Sequence, residues 1–479
     1  MKLYSSNEEY KLYHGSMLDM LDVIEPNSID AIITDPPYEL NFMNKGWDRS
    51  GIAFNKEAWE KCFKVLKPGG HLLAFGGSRT FPRIACAIED AGFELRDTIM
   101  WLYGSGFPKS MNIGLAIDKR NGVDNRTGNI RTDGKATLGD IYEWANGRPD
   151  TKEYEERKAQ NEWGGFGTCL KPAYEPIIVA RKPVENSIVD NVLKYGVGGI
   201  NIDECRVPAK QGEYDIRHYT NEDCFQNSKP KESKFQVEPQ PDGRFPANVI
   251  LTYDETDYEE VCGGMPYTKG NGGEPNTEKS NCECRVFASG ENKLWHKSGT
   301  HFDDEGSAAR YFYCAKATKF DRDEGLDDFE TKKTGELQNR KEGSAGSMML
   351  NKDGSTRVNP YACAGTPKKN THATVKPVSL MRYLVRLVSP KNATILDCFN
   401  GSGSTGKAVM LENKEFKKNY KYIGIELTEE YLPIAKARIE YICNNQFDFT
   451  EEENGIKQHE VVKKDAKILD IFDFGVELW

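Results

Sequence analysis

Apolar and polar positions divide the chain into three stretches. Up to about Lys119, strand-like and helix-like periods alternate. The apolar run Ile29 to Thr34 reads as a strand, Ala58 to Leu66 as a helix, and Leu72 to Phe75 as a strand. Arg83 to Ala91 then reads as a helix and Thr98 to Leu102 as a strand. This βαβα rhythm belongs to a sheet flanked by helices. Lys67-Pro68-Gly69-Gly70 is expected to end the first helix and hand over to the next strand. From roughly Asn121 to Thr366 the texture turns to Gly, Asn, Asp, Lys and Glu, with short apolar segments such as Glu175 to Ala180 and Asn248 to Thr252. Gly270 to Asn281 and Thr331 to Thr356 are polar enough to be expected as mobile loops. From Thr374 the first rhythm returns: helix Val378 to Val388, strand Thr394 to Cys398, helix Lys407 to Glu412, strand Tyr422 to Glu426, helix Glu430 to Cys443. The two ends read as halves of one sheet, which divides the chain into 1–120, 121–366, 367–445 and a tail, 446–479.

At 479 residues the chain exceeds one ordinary core, and two or three domains are expected. No apolar run approaches the roughly 20 residues that span a bilayer. Met1 to Glu8 shows no apolar core or small-residue cleavage site, so a cytoplasmic protein is expected, away from membranes. Twelve scattered cysteines then read as reduced thiols. Cys262, Cys282, Cys284 and Cys314, with His296 and His301 between them, lack paired C-x-x-C knuckles, and no metal is expected there. A net charge of −10 is unlike the basic footprint of most nucleic-acid binders. Its distribution changes the picture: Thr331 to Leu380 carries nine Lys/Arg against three Asp/Glu, whereas Gln446 to Trp479 carries four against nine.

Chemistry concentrates in two distant segments. Gly401-Ser402-Gly403-Ser404-Thr405-Gly406 satisfies G-x-G-x-x-G, follows an apolar strand, opens a helix, and has Glu426 at the end of the next strand. Glycines let the backbone approach a ligand, the helix start offers free amides, and Glu426 can accept from both ribose hydroxyls. A nucleoside-containing cofactor is implied. The same run also reads as G-x-x-x-x-G-K through Lys407, but Ala408 stands where an ATP site needs Ser or Thr for magnesium.

The second segment, Asp35-Pro36-Pro37-Tyr38, follows the first strand, at the sheet edge where such folds bind ligands. An exocyclic amine of adenine or cytosine is a poor nucleophile because its lone pair is delocalised into the ring. The Asp35 carboxylate and the Pro36 carbonyl could each accept one amine hydrogen, localising that pair and aligning it. Two prolines stiffen the turn, and Tyr38 offers a flat face to a base rotated out of a duplex.

With both segments in place, the chain resembles the S-adenosylmethionine-dependent amino methyltransferases of DNA, in the β-type arrangement of phage-like site-specific enzymes. The order carries this: the catalytic segment first, a long variable region, then Asn370-Thr371-His372-Ala373-Thr374-Val375-Lys376-Pro377 and Leu396 to Gly406. Leu66 to Gly70, Gly106 to Ser110, Leu170 to Pro176 and Gly306 to Tyr313 also match. The resemblance implies an α/β, Rossmann-like class I methyltransferase fold with a mixed, mostly parallel, circularly permuted sheet and a large target-recognition insert at 121–366. By the same resemblance Asp397, Phe399, Gly401, Gly403, Ser404 and Thr405 would line the cofactor, Glu426 would hold its ribose, and Thr374 and Lys376 would border its methionine tail. Asp35, rather than Ser, points to adenine N6. Cytosine N4 and an inactive DNA-binding relative stay open, while cytosine C5 lacks its Pro-Cys nucleophile. The expected partner is double-stranded DNA in the nucleoid of a bacterial or phage-infected cell, with a second copy and a cognate restriction endonuclease as further partners.

In the recognition region, Trp163, Tyr174, Arg181, Lys182, Arg244, Arg310, Tyr311 and Tyr313 are candidate DNA contacts. Cys398 and Asn400 depart from the usual Pro and Met of the cofactor loop, and Ser404 from Thr. Ser16 stands where relatives carry an acidic residue near the cofactor's adenine, and Ala373 replaces a proline.

Overall fold

The computed structural model describes residues 2–40, 46–103, 110–124, 157–207, 243–252, 319–332 and 368–451, with isolated strand segments elsewhere. Among the described residues ten strands form one sheet: β1 (Lys2–Ser6), β2 (Tyr10–His14), β3 (Ile29–Thr34), β4 (Leu66–Phe75), β5 (Glu94–Tyr103), β6 (Tyr174–Arg181), β7 (Val249–Thr252), β8 (Tyr313–Cys314), β9 (Thr394–Asp397) and β10 (Lys421–Glu426). Their spatial order is β1-β2-β10-β9-β3-β4-β6-β5-β7-β8. All run in one direction except β1 and β6, so the sheet is mixed and mostly parallel, as expected. The two ends of the chain are joined by β9 pairing with β3 and β10 with β2.

Every residue of β3 is buried, as a central strand covered on both faces requires. Alternate side chains enter opposite cores. Ala31 and Ile33, with Leu73, Phe75, Ile177 and Val179, face the core under the helices Val378–Val388 and Ser404–Phe416. Ile32, Leu72, Ala74 and Ile178 face the core under the helices Lys56–Val65 and Phe81–Asp90. From β9 the chain crosses to β10 on one side, and from β3 to β4 on the other. The crevice where that direction reverses is the ligand site of open α/β sheets.

Two expectations need correction. Lys67-Pro68-Gly69-Gly70 does not separate helix from strand: β4 starts at Leu66, and the four residues form a bulge between the Ile29↔Leu66 and Ala31↔His71 pairs. Gly69 adopts φ +79°, its amide donates to the Lys182 carbonyl, and a Cβ there would lie 2.2 Å from Asn191 Nδ2. The segment Glu175 to Ala180, read as an apolar island in an irregular stretch, is the middle of β6 and is hydrogen-bonded on both sides. The interval 121–366 therefore supplies sheet strands.

The polar stretch 270–281 and most of 331–356 lie outside the described residues, as do Cys262, Cys282, Cys284, His296 and His301. From the acidic tail, Phe447–Glu451 pairs with Lys457–Val461, and Phe447 and Phe449 pack on the core. Among the described residues no helix is long and apolar enough to cross a membrane, and no cluster of His, Cys, Asp or Glu could hold a metal.

Candidate active site

The turns after β3 and β9 meet in one cleft of about 1650 Å³, larger than the roughly 300–1000 Å³ that a single small ligand needs. Asp35, Pro36, Pro37, Tyr38, Thr374, Lys376, Asp397, Phe399, Gly401, Ser404, Thr405 and Glu426 all line it. Gly403 stands behind them, packed on Ala435.

The junction is built from side chains on adjacent strands. Thr34 Oγ1 donates to Asp397 Oδ1 at 2.7 Å and accepts from the Phe399 amide at 3.2 Å, while Thr405 Oγ1 donates to Asp397 Oδ2 at 2.6 Å. Both oxygens of Asp397 are thus occupied, and burial pushes its carboxyl up to about 6 against those bonds. Asp397 fastens the glycine turn to the strand that carries Asp35.

Around Asp35 the charges converge. Lys376 Nζ donates to Asp35 Oδ2 at 2.6 Å, stands 3.2 Å from the Tyr38 hydroxyl and 3.4 Å from Glu175 Oε2. Tyr38 donates its hydroxyl proton to Glu175 at 2.8 Å, which fixes the plane of its ring. Burial lowers Lys376, yet the carboxylates of Asp35 and Glu175 outweigh it and hold the ammonium above its ordinary range. Asp35 Oδ1 is buried and has no partner among the described residues. Such an atom needs a donor, because an unmet buried acceptor costs about 1–3 kcal/mol.

Lys376 is delivered by a segment pinned from behind. Arg322, in the short helix Lys319–Asp323, donates to the carbonyls of His372 and Asn370, and Asp323 accepts from the Asn370 amide. His372 Nδ1 lies 2.9 Å from the Thr374 carbonyl, and burial pushes its imidazole down to about 4, so it stays neutral.

The glycine loop fits a nucleoside cofactor. Gly401 and Gly403 hold φ +52° and +76°, and Cβ atoms there would meet His372 Nε2 at 2.9 Å and Ala435 Cα at 3.0 Å. Glu426 accepts the Gly401 amide on Oε2 and the Thr428 amide on Oε1, both at 2.7 Å, leaving each oxygen a lone pair for a hydroxyl. Ser16 caps a short helix by accepting from the Leu18 amide. Lys407, the lysine of the ATP-loop alternative, is fully buried behind the loop and paired with Glu324, away from the cleft.

The proposed DNA contacts divide. Trp163 is exposed, and Tyr174 lines the cleft. Arg181 and Lys182 stand at the opposite end of β6. Arg181 is buried against Glu94 at 2.6 Å, and Lys182 Nζ donates to the carbonyls of Phe63 and Leu66 and to Asn27. Arg244 is buried and bridges backbone-to-backbone with Val207. Arg310 and Tyr311 lie outside the described residues, as does the side chain of Tyr313. Arg79, Trp101 and Tyr103 also line the cleft, as do Lys171 and Glu175 of the Leu170 to Pro176 segment. The family resemblance covers that segment but assigns these two residues no role, and Arg79, Trp101 and Tyr103 carry no local signal; the sheet order brings all five together.

A family model described as DNA methylase of the N6/N4 type matches residues 29–437. Among curated proteins, the type II methyltransferase M.HpaI of Haemophilus parainfluenzae is 35% identical over 109 residues, 21% of this chain and 34% of that protein. The type II methyltransferase M2.LlaDCHI of Lactococcus lactis subsp. cremoris is 25% identical over 227 residues, 42% of this chain and 82% of that protein. This chain thus spans about a third of the length of M.HpaI. The solved PvuII DNA methyltransferase (cytosine-N4-specific) superposes with a TM-score of 0.36 at 12% identity, over 92% of each chain.

Proposed function

The chain belongs to the N6/N4 DNA methylase family, and we propose that its cleft transfers a methyl group from S-adenosylmethionine to adenine N6 in double-stranded DNA. The observation that carries the reading is Asp35, with Oδ2 held by Lys376 and Oδ1 buried without a partner among the described residues, in the same cleft as the Gly401 turn and Glu426. When bound, the cofactor supplies an electrophilic methyl carbon on a positively charged sulfur. Glu426 and the backbone at Gly401 would hold its ribose and amino-acid portion. Tyr38, its ring fixed through Glu175, would stack on the everted base. Asp35 Oδ1 would accept one hydrogen of the exocyclic amine and the Pro36 carbonyl the other, localising the nitrogen lone pair for in-line attack. With the methyl group supplied by the cofactor, Asp35 would receive the proton that the amine nitrogen gives up on becoming methylated.

Aspartate at position 35 supports adenine over cytosine, and the catalytic-first order of segments supports the β-type, phage-like arrangement. The reading includes a cognate restriction endonuclease as the enzyme whose site this chain would protect, since the relatives above are named type II methyltransferases. It also places the protein on cellular DNA. The deciding experiment incubates the full chain with duplex DNA and methyl-labelled cofactor, then digests the DNA and weighs the nucleosides. N6-methyl-2′-deoxyadenosine is expected; N4-methyl-2′-deoxycytidine would move the activity to the other base, and no label would leave a DNA-binding relative.

A further inference from the structure

Glu175 lies outside both motifs. It is the second residue of β6, the reversed strand, paired across to Trp101, and this reversal carries its carboxylate to the edge where the parallel strands end. There Glu175 Oε2 accepts the Tyr38 hydroxyl at 2.8 Å and faces Lys376 Nζ at 3.4 Å. Two carboxylates thus share one buried ammonium.

Without Glu175, Lys376 would keep its bond to Asp35 but lose its second carboxylate, and the Tyr38 hydroxyl would lose its acceptor. We propose that Glu175 is a positioning residue for the methyl transfer: by sharing Lys376 with Asp35 and fixing Tyr38, it keeps Asp35 Oδ2 occupied and aims Oδ1 at the target amine. This role rests on the methyltransferase reading and adds a residue supplied by the 121–366 interval. Lys376 is faced by Asp35 and Tyr38 after β3, Glu175 on β6, Tyr103 on β5, and His372 on its own segment. Of these, Asp35 and Glu175 raise its ammonium.

The test compares the full chain with Glu175→Gln and Glu175→Asp in two measurements. Binding of S-adenosylhomocysteine by calorimetry reports the folded cofactor pocket; methyl transfer to DNA against pH reports the alignment. Glu175→Gln is expected to bind S-adenosylhomocysteine as the unaltered chain does, with kcat lower by roughly 100-fold, the order of effect expected from about 1 Å of misplacement, and KM for DNA little changed. Its activity is also expected to fall at a lower pH than the unaltered chain's, because Lys376 has lost one of its two carboxylates. Glu175→Asp restores the charge and recovers part of kcat. Unchanged kcat and pH limb in Glu175→Gln, or loss of S-adenosylhomocysteine binding together with the activity, overturns this role alone. No transfer by the unaltered chain overturns the reaction and this role with it.

Discussion

Thr34 and Asp397 share a 2.7 Å hydrogen bond between side chains 363 positions apart in sequence, and each adjoins a functional turn: Asp35 follows Thr34, and Cys398-Phe399 follow Asp397. Thr34 also accepts the Phe399 amide. One hydroxyl therefore sets the spacing between the amine-binding carboxylate and the glycine turn. Thr34→Val, which keeps the shape and removes both bonds, is expected to lower stability by about 1–3 kcal/mol, the usual cost of stranding a buried polar partner. Binding of S-adenosylhomocysteine should weaken alongside. Denaturant melts and calorimetry check both, and an unchanged affinity would mean that strand pairing alone holds the turns together.

Gly401 invites a matched comparison. At φ +52° a Cβ costs about 1–2 kcal/mol by itself, and here it would also lie 2.9 Å from His372 Nε2. The imidazole cannot step aside, because Nδ1 is held by the Thr374 carbonyl and the ring packs edge-on against Tyr431 at 4.5 Å. Gly401→Ala should abolish measurable S-adenosylhomocysteine binding while the chain stays folded. Gly196, at φ +75° with nothing within 4 Å of its missing Cβ, is the control. Gly196→Ala should cost only the backbone strain and leave binding intact.

How much of this was legible follows from which contacts are local. The turn at Asp35 stands out because β3 is a short, mostly apolar run followed at once by Asp35 and two prolines. Glu426 stands out because strand, glycine turn, helix and next strand follow at short spacing. Lys376 was found, but bordering a methionine tail; the structure aims its ammonium at Asp35, a contact 341 positions long that no periodicity reports. Glu175 sits in the matching Leu170 to Pro176 segment, but its role is hidden for the same reason, since its bond to Tyr38 spans 137 positions and depends on β6 running backwards. Both Glu175 and Arg181 belong to one strand, but it enters at the cleft and leaves at the far edge, so Arg181, a candidate DNA contact, stands away from the cleft and is buried against Glu94.

The pH response should separate stability from binding. Burial pushes Glu426 up from 4.5 to about 7, against the pull of its two amide bonds, and Asp397 from 3.8 to about 6. Between each pair of values the folded chain holds more protons than the unfolded chain, so these groups make stability fall as pH rises from about 4 to 7. Cofactor binding runs the other way, because an ionised Glu426 is the better acceptor for ribose hydroxyls. S-adenosylhomocysteine should bind more tightly at pH 8 than at pH 6, and Glu426→Gln should flatten that slope. A slope that persists in the glutamine variant would assign the titration to another group.

Duplex affinity supplies the last test, through cations at opposite ends of β6. Arg79 and Lys171 are exposed on the cleft, on the turn after β4 and the segment entering β6. Arg181 is buried against Glu94, and Lys182 is bonded to two carbonyls and an asparagine. If DNA lies over the cleft, Arg79→Ala and Lys171→Ala should each weaken binding without regard to sequence and reduce the salt slope by about 1, as loss of one phosphate contact does. Arg181→Ala should leave affinity and slope alone and instead cost up to about 1 kcal/mol of stability, a modest value because Glu94 is partly exposed and the pair is screened. Titrations of labelled duplex at several salt concentrations, with melts of the same variants, check both halves. A salt slope lowered by Arg181→Ala and untouched by Lys171→Ala would place the duplex at the other edge of the sheet, away from Asp35.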